Sequence, residues 1–374
     1  MASSTMSSRV SAPTAPGANR GWSRILGGRT AMLFLLLMLA LILAALAELI
    51  FGAVNLSLGE IYRALMGEGD ALSSAIVTEI RAPRLFLGMA VGLGLAMSGC
   101  SLQGVLRNPL ADPGLIGVTG GAAVGAVATI VLGDAIITDL PMAVRPFLLP
   151  VAAFTGAAFV TTVVFGVSRR AGTTSIATLI LAGVAINAIA GAFIGAMVYI
   201  SDDRQLRDLT FWTMGSLGAS NWTLVLISAG IVLAAVAGIA RMGRALDLFQ
   251  LGERAAYHAG LDVEATKRNV AILSAIAVGA ATAAAGPIGF IGLVAPHMAR
   301  LIVGPEHRLV LPASALIGTT LLLFSDLLVR TAVPPAEPPI GLATSLIGGP
   351  FFLWLLLARM RTRGGGVNGG GFNA

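Results

Sequence analysis

Long apolar runs constrain this chain more than any other feature of its sequence. A membrane-spanning helix needs about 20 mostly apolar residues, and ten stretches reach or approach that length with few charges inside them. The predicted spans are 30–52, 84–106, 114–132, 147–167, 175–200, 222–240, 269–286, 288–303, 309–329 and 340–358. We therefore expect an all-α polytopic membrane protein of about ten transmembrane helices, with one domain over residues 30–360.

The composition excludes the soluble classes of protein. Of the 374 residues, 56% are hydrophobic and 11% are charged, whereas a soluble globular domain carries about 25% charged residues. The net charge of +6 could suit nucleic acid, but the cations are scattered between apolar runs instead of forming one basic face. We therefore expect membrane lipid to surround the chain, and we expect no nucleic-acid partner.

Both ends of the chain differ from the apolar middle. Residues 1–29 are rich in Ser, Ala, Pro, Gly and Arg without periodicity, which predicts a disordered basic tail. Residues 361–374 form a Gly-rich second tail. A cleaved signal peptide is the competing interpretation of the first apolar run, because Ala45-Leu46-Ala47 resembles a cleavage site. A retained span is favoured, since the leading segment is long and the run exceeds a typical signal core.

The distribution of cations predicts the orientation. With ten spans both termini share one side, and that side holds 17 of the 24 Lys and Arg residues, against 7 on the other. Segments rich in Lys and Arg remain cytoplasmic. Both termini and both tails are therefore expected in the cytoplasm.

The chain is poor in residues that perform chemistry. One cysteine (Cys100) and three histidines leave no disulfide framework and no metal site to predict. The only lysine, Lys267, lies in EATKRN and not in a GxxxxGKS or GxxxxGKT phosphate loop. We expect no catalytic residues, no cofactor and no ATP site in this chain, and no nucleophile–base pair supports an intramembrane enzyme. An ion-coupled secondary transporter stays open, although its best intramembrane acids, Glu48 and Asp326, lie near the outer ends of their spans.

The segment 81–126 contains two informative features. Pro109 and Pro113 cannot lie inside a regular helix, so NPLADPG is predicted to form a tight inner turn between two Gly-rich spans. Arg81 and Arg84 flank Pro83 at the outer mouth, where a cation can face water or a partner. Their alternative role is that of ordinary anchors at the level of the lipid headgroups.

The longest inner segment between spans covers residues 241–268. It mixes charges with an amphipathic pattern, and Gly252 and Gly260 are natural breakpoints between short helices. Such a surface suits docking of a soluble partner, and a solvated connector is the alternative.

Prolines and glycines also break the segment 283–308. They predict half-length helices joined by irregular backbone. At the depth of the membrane, irregular backbone is tolerated only where it is buried in protein or lines a cavity. This region repeats the broken region after the second span, five spans earlier, which suggests an inverted repeat. Further along, Asp326 and Arg330 are four residues apart and can pair, or Arg330 can face an outer partner.

Six motifs occur in order along residues 50 to 360: RAPR with SGCSLQGVLRNPLADPGLIGV, LGERAAYHAGL, GPIGFIGLVAPHMAR, GPEHRLVLP, SDLLVR and PPIGLATSLIGGPFF. Together they resemble the permease subunits of bacterial ABC importers for ferric siderophores, haem and cobalamin. The resemblance implies a type II ABC importer permease in the inner membrane. It also implies pairing with a second copy, two cytoplasmic ATPase subunits that hold ATP and Mg, and a periplasmic substrate-binding protein.

The resemblance also implies roles for particular residues. The residues implied to dock the binding protein are Arg81, Arg84 and Arg330. Those implied to contact the ATPases are Leu251, Gly252, Glu253, Ala256, Gly260 and Leu261. Those implied near a cytoplasmic gate are Thr174, Ser175, Ile176 and Ala177. Residues 186–222 look most like haem-importing members, so haem is the favoured cargo, followed by ferric siderophore and then cobalamin.

Overall fold

The computed structural model describes residues 27–133, 140–170, 172–334 and 336–364, which are mainly helical. The helices are α1 Gly28–Ile50, α2 Leu58–Met66, α3 Ala71–Ala75, α4 Ala82–Leu106, α5 Val118–Leu132, α6 Arg145–Ser168, α7 Ile176–Ile200, α8 Asp203–Met214, α9 Trp222–Ala240, α10 Gly243–Gln250, α11 Glu253–His258, α12 Val263–Ala285, α13 Ile291–Val303, α14 His307–Ala332 and α15 Ile340–Gly364. A π-helical turn, Ile76–Arg81, joins α3 to α4, and a 3₁₀ turn covers Pro113–Ile116. Two short strands, β1 Arg169–Arg170 and β2 Thr173–Thr174, pair antiparallel.

Ten of these elements occupy the ten predicted spans. Seven helices are long and apolar enough to cross a membrane, and three shorter apolar helices lie at Val118–Leu132, Ile291–Val303 and Ile340–Leu355. The predicted architecture of about ten membrane helices is confirmed. The second span is longer than expected, because α3, the π turn and α4 form one continuous helix over Ala71–Leu106. The predicted tail over 1–29 falls almost wholly outside the described residues, as do residues 365–374 of the second tail.

Helix α4 is the centre of the bundle. Nearly all of its residues are buried, and α9, α12, α13 and α14 pack around it. A helix that is apolar on every side belongs inside a protein. Glycines allow the neighbours to approach closely: a Cβ at Gly99 would lie 1.9 Å from the Gly292 carbonyl oxygen of α13. In lipid, such small-residue contacts replace the hydrophobic effect as the basis of helix packing.

Two of the predicted breaks occur where expected. Asp112 accepts a hydrogen bond from the Gly114 N–H (2.7 Å) and begins the 3₁₀ turn that connects α4 to the 15-residue α5. In the second half, Gly286 (φ 70°) and Phe290 (φ 68°) interrupt the chain between α12 and the 13-residue α13. At 1.5 Å per residue, α13 is roughly 20 Å long, which is less than the hydrocarbon thickness of about 30 Å. Each half therefore contains a long helix, a break and a short helix.

Candidate functional site

The ends of α1, α4 and α14 that the distribution of cations predicts to be outer enclose a cluster of arginine and carboxyl side chains, the outer cluster. Arg84 donates from Nε and Nη2 to the two carboxylate oxygens of Asp326, at 2.8 and 2.9 Å, and from Nη1 to Glu337 Oε2 at 2.7 Å. Arg84 and Asp326 are both buried, whereas Glu337 is half exposed. The two-pronged geometry holds the planar guanidinium in one orientation. It links α4 to α14 and to the segment before α15.

The second part of the cluster surrounds the end of α1. Arg330 donates from Nη2 to the backbone oxygen of Glu48 (2.9 Å) and forms an ion pair with the Glu48 carboxylate. Arg81 donates to the carbonyl oxygens of Leu49, Ile50 and Val54. The last carbonyls of a helix have no partner within the helix. Arg330 thus bonds to the Glu48 oxygen and Arg81 to the Leu49 oxygen, two of the last carbonyls of α1, and the Ile50 oxygen also accepts a hydrogen bond from the Leu56 N–H.

Arg81, Arg84 and Arg330 do not face water in this structure, although that was one possibility for Arg81 and Arg84. Their exposed fractions are 4%, 5% and 6%, because carboxylates and carbonyl oxygens from other helices surround each guanidinium group. Asp326 also pairs with Arg84 across the bundle, and not with Arg330 on its own helix. The cations exposed on this side are Arg63, Arg204 and Arg207.

The segment 241–268 forms two short helices, as predicted. Gly252 (φ 103°) separates α10 from α11, and Gly260 (φ 87°) separates α11 from α12. A positive φ is readily adopted only by glycine, so both turns depend on this residue type. Asp247 of α10 accepts hydrogen bonds from the backbone N–H (2.6 Å) and Nδ1 (3.0 Å) of His307, which fixes α10 to the start of α14.

The predicted ATPase-contact residues differ in their exposure. Leu251 is 69% exposed, Gly260 is exposed, and Gly252, Glu253 and Leu261 are half-buried. Ala256 is fully buried, so its side chain cannot touch a partner in this structure. Tyr257, which the sequence analysis did not select, is 69% exposed beside it. Leu251 and Tyr257 are the two large apolar side chains that this surface presents.

Lys267 joins this surface to the predicted gate. Its buried ammonium group lies 2.8 Å from Glu253 Oε2 on α11, 3.1 Å from Glu264 Oε1 on α12, and 3.2 Å from the Thr174 backbone oxygen. Glu264 Oε2 in turn accepts a hydrogen bond from the Thr174 N–H at 2.8 Å. One side chain thus connects the α11 helix with strand β2, although 93 residues separate it from Thr174.

The predicted gate residues mark the beginning of α7. Thr174 ends β2 and is buried, and the Ser175 side chain caps α7 by accepting a hydrogen bond from the Thr178 N–H at 3.3 Å. Ile176 is half-buried and Ala177 is exposed. A displacement of Thr174 therefore acts directly on the first turn of α7.

Sequence reasoning missed the roles of Lys267, Glu264 and Asp247. Lys267 carried a signal, since a lone lysine among 24 cations is unusual. The contacts of Lys267 with Thr174 and of Asp247 with His307 carried none, because they cross long separations in the chain.

Three comparisons bear on what this arrangement does. The sequence matches the FecCD transport family over residues 37–358. It is 43% identical to the hemin transport system permease protein of Yersinia pestis over 334 residues, which cover 88% of this chain and 96% of the relative. It is 41% identical to the cobalamin import system permease protein of Halobacterium salinarum over 287 residues, which cover 77% and 74% of the two chains.

The fold is also similar to that of a solved structure, an inward-facing conformation of an ABC transporter assigned to the metal-chelate type. The TM-score is 0.78 at 32% identity, and the match covers 88% of this chain and 99% of the other. The family match covers most of the sequence. The matched region includes the breaks after α4 and α12 and the two short helices α10 and α11. The chain belongs to the FecCD transport family of ABC transporter permeases.

Proposed function

We propose that this chain forms the membrane path through which an ATP-driven importer carries haem from the periplasm to the cytoplasm. The observation that supports haem is the 43% identity to a hemin permease across 96% of that relative. Cobalamin is the second candidate, because several relatives of 33–41% identity are cobalamin permeases. Ferric siderophore is the third and rests on the motifs alone.

An ion-coupled transporter is a weaker proposal for this bundle. Its candidate relay acids, Glu48 and Asp326, are each held in an ion pair with a buried arginine. A relay needs a carboxylate that is free to exchange protons along the path, whereas each of these carboxylates is bound by an arginine from another helix. These side chains are better suited to holding helices together than to carrying protons.

The proposed assembly contains two copies of this chain, two ATPase subunits and a substrate-binding protein. The α10–α11 surface, with exposed Leu251 and Tyr257, would lie in clefts of the ATPases. The termini would be cytoplasmic, in agreement with the excess of cations on that side. ATP and Mg would be held by the ATPase subunits, since this chain contains no phosphate loop.

Lys267 is proposed to transmit movement from the ATPases to the path. Closure of the ATPases would displace α11, and the Glu253–Lys267–Thr174 contacts would carry that displacement to the start of α7. Because the ammonium group is buried, its contacts are screened less than those of surface pairs. Lys267 is thus a positioning residue between the two surfaces.

Arg81, Arg84 and Arg330 are proposed to support docking of the binding protein from inside the outer cluster. The half-exposed Glu337 is the member that a partner can reach directly. A basic group of the binding protein that paired with Glu337 would compete with Arg84 for this carboxylate. Loss of the Arg84–Glu337 ion pair would weaken the contact between α4 and the segment before α15. Exposed Arg63, Arg204 and Arg207 would attract the acidic side chains of the binding protein.

Reconstitution with the cognate ATPase and binding protein tests the proposed cargo. Binding protein loaded with haem should stimulate ATP hydrolysis and uptake into proteoliposomes more than protein loaded with cobalamin or ferric siderophore. A greater response to either alternative would refute haem while leaving the importer role intact. Uptake driven by an ion gradient without ATPase subunits would refute the importer role itself.

A further inference from the structure

A groove of about 450 Å³ opens between α6 and α12, away from the outer cluster. Its walls are mainly apolar at the depth of the membrane, where Phe154, Ala158 and Phe165 of α6 face Ile272 and Ile276 of α12. Ala158 and Ile272 are exposed on this face. The groove is therefore open to whatever surrounds the helices and is not an enclosed cavity of the core.

Two arginines lie at one end of the groove. Arg169 follows the last residue of α6, and Arg268 lies in the second turn of α12; both line the groove and both are exposed. Within the described part of the chain, neither forms an ion pair with an acidic side chain. Isolated cations beside an apolar groove favour a ligand with an anionic head and an apolar tail.

One acidic residue, Glu264, also lines this end, and its carboxylate is already paired with other groups of the chain. Glu264 forms an ion pair with Lys267 at 3.1 Å and accepts the hydrogen bond from the Thr174 N–H at 2.8 Å. Lys267 is further paired with Glu253 at 2.8 Å. The charges without a counter-ion at the mouth are therefore the two guanidinium groups.

The length of the groove corresponds to one leaflet of a bilayer. From Phe154 to Arg169 the α6 helix rises about 22 Å at 1.5 Å per residue, which is close to half of the roughly 40–45 Å thickness of a bilayer with its headgroups. The arginines are at the end that carries α11 and β2, which is the cytoplasmic end if the proposed function is correct. The cytoplasmic leaflet is the one that carries anionic lipids.

We propose that this groove binds an anionic phospholipid of the inner leaflet. The phosphate would lie between Arg169 and Arg268, and an acyl chain would lie along Phe165, Ala158 and Ile272. Because Thr174 also lines the groove, a bound headgroup would contact the β1–β2 hairpin that leads into α7. The lipid would thereby hold the predicted gate segment against α12.

Native mass spectrometry of the full-length permease tests this site without any ATPase or cargo. The probes are phosphatidylglycerol and phosphatidylcholine with the same acyl chains. The wild-type chain should retain phosphatidylglycerol in preference. Arg169→Gln with Arg268→Gln should weaken its binding by about 10-fold or more, because each cation near a membrane surface contributes about a factor of five. Arg241→Gln with Arg244→Gln removes two exposed cations near α10 and should leave the preference unchanged.

A second variant tests the apolar wall. Gly166 lines the groove and a Cβ there would have no atom within 4 Å, so Gly166→Leu places an apolar side chain in the groove. It should reduce retention of both lipids while the melting temperature in lipid-free detergent is maintained. Equal retention of the two lipids by the wild type, or an equal loss in the Arg241/Arg244 variant, would overturn the proposal. A stable dimer that binds no lipid would also overturn it, by showing that a second copy covers the groove. None of these results depends on the transported cargo.

Discussion

At Gly99 the backbone of the central helix lies directly against that of α13. A methyl group there would approach the Gly292 carbonyl oxygen to 1.9 Å, and backbone cannot move aside as a flexible side chain can. At Gly191 on α7, by contrast, a Cβ would have no atom within 4 Å. The two glycines look alike in the sequence, yet one determines helix packing and the other does not.

Gly99→Ala should therefore destabilise the protein, and Gly191→Ala is its matched control. Overpacking of a dense core costs about 1–3 kcal/mol or more, so Gly99→Ala should lower the melting temperature and the yield of folded protein in detergent. Gly191→Ala should leave both unchanged or slightly higher, because alanine favours helix over glycine. Equal effects of the two substitutions would show that the α4–α13 contact is not as close as described.

Lys267 is the second residue with a role of its own. Lys267→Met removes the contacts with Glu253, Glu264 and the Thr174 oxygen. Uptake per ATP hydrolysed should fall by about 5-fold or more, the size of a typical coupling between sites, while the complex still assembles.

The control for this experiment is Arg241→Gln, because among the described residues the Arg241 side chain bonds to the Ala237 oxygen of the preceding helix α9 and to no other residue. It should leave the ratio of uptake to hydrolysis unchanged, and Lys267→Arg should restore part of the loss. If hydrolysis and uptake decrease in equal proportion in Lys267→Met, the side chain stabilises the fold and does not transmit movement.

At the scale of elements, ion pairs hold the outer ends of α1, α4 and α14 together. Removal of one partner from a buried pair leaves an uncompensated charge, which costs about 3–5 kcal/mol, whereas apolar replacement of both partners is often neutral. The pairs Arg84–Asp326 and Arg330–Glu48 are both of this buried kind.

Asp326→Leu alone should thus strongly lower the melting temperature, and Arg84→Met with Asp326→Leu should recover most of the loss. The Arg63→Met variant, which removes an exposed outer cation, should have little effect. Additive losses in the double variant would show that Arg84 and Asp326 do not interact, contrary to the 2.8 Å contact between them.

At the scale of the whole molecule, the distribution of cations predicts which surface is cytoplasmic. Cysteine labelling in intact cells tests it, in a background in which the buried Cys100 is replaced by serine. A cysteine at exposed position 204 should react with an impermeant maleimide from outside, and one at exposed position 244 only after lysis. The reverse pattern would refute the cytoplasmic location of the termini and of the α10–α11 surface.

Much of this protein could be predicted from its sequence, because the physical causes are local. Apolar length specifies which stretches form membrane helices, and Gly252, Gly260 and Gly286 mark their ends because they adopt backbone angles that other residues avoid. The same reasoning predicted the two-helix inner surface and the half-length α13. Each depends on residues adjacent in the chain.

Only the tertiary structure decided which charges are available. Arg81, Arg84 and Arg330 looked like outer cations, yet carboxylates and carbonyl oxygens from distant helices surround them, including Asp326, 242 residues from Arg84. Lys267 looked like one cation of a loop, yet it joins α11 to β2. Ionic contacts depend on distance in space. The packing of the ten apolar helices brings these groups together, and no local sequence pattern specifies that packing.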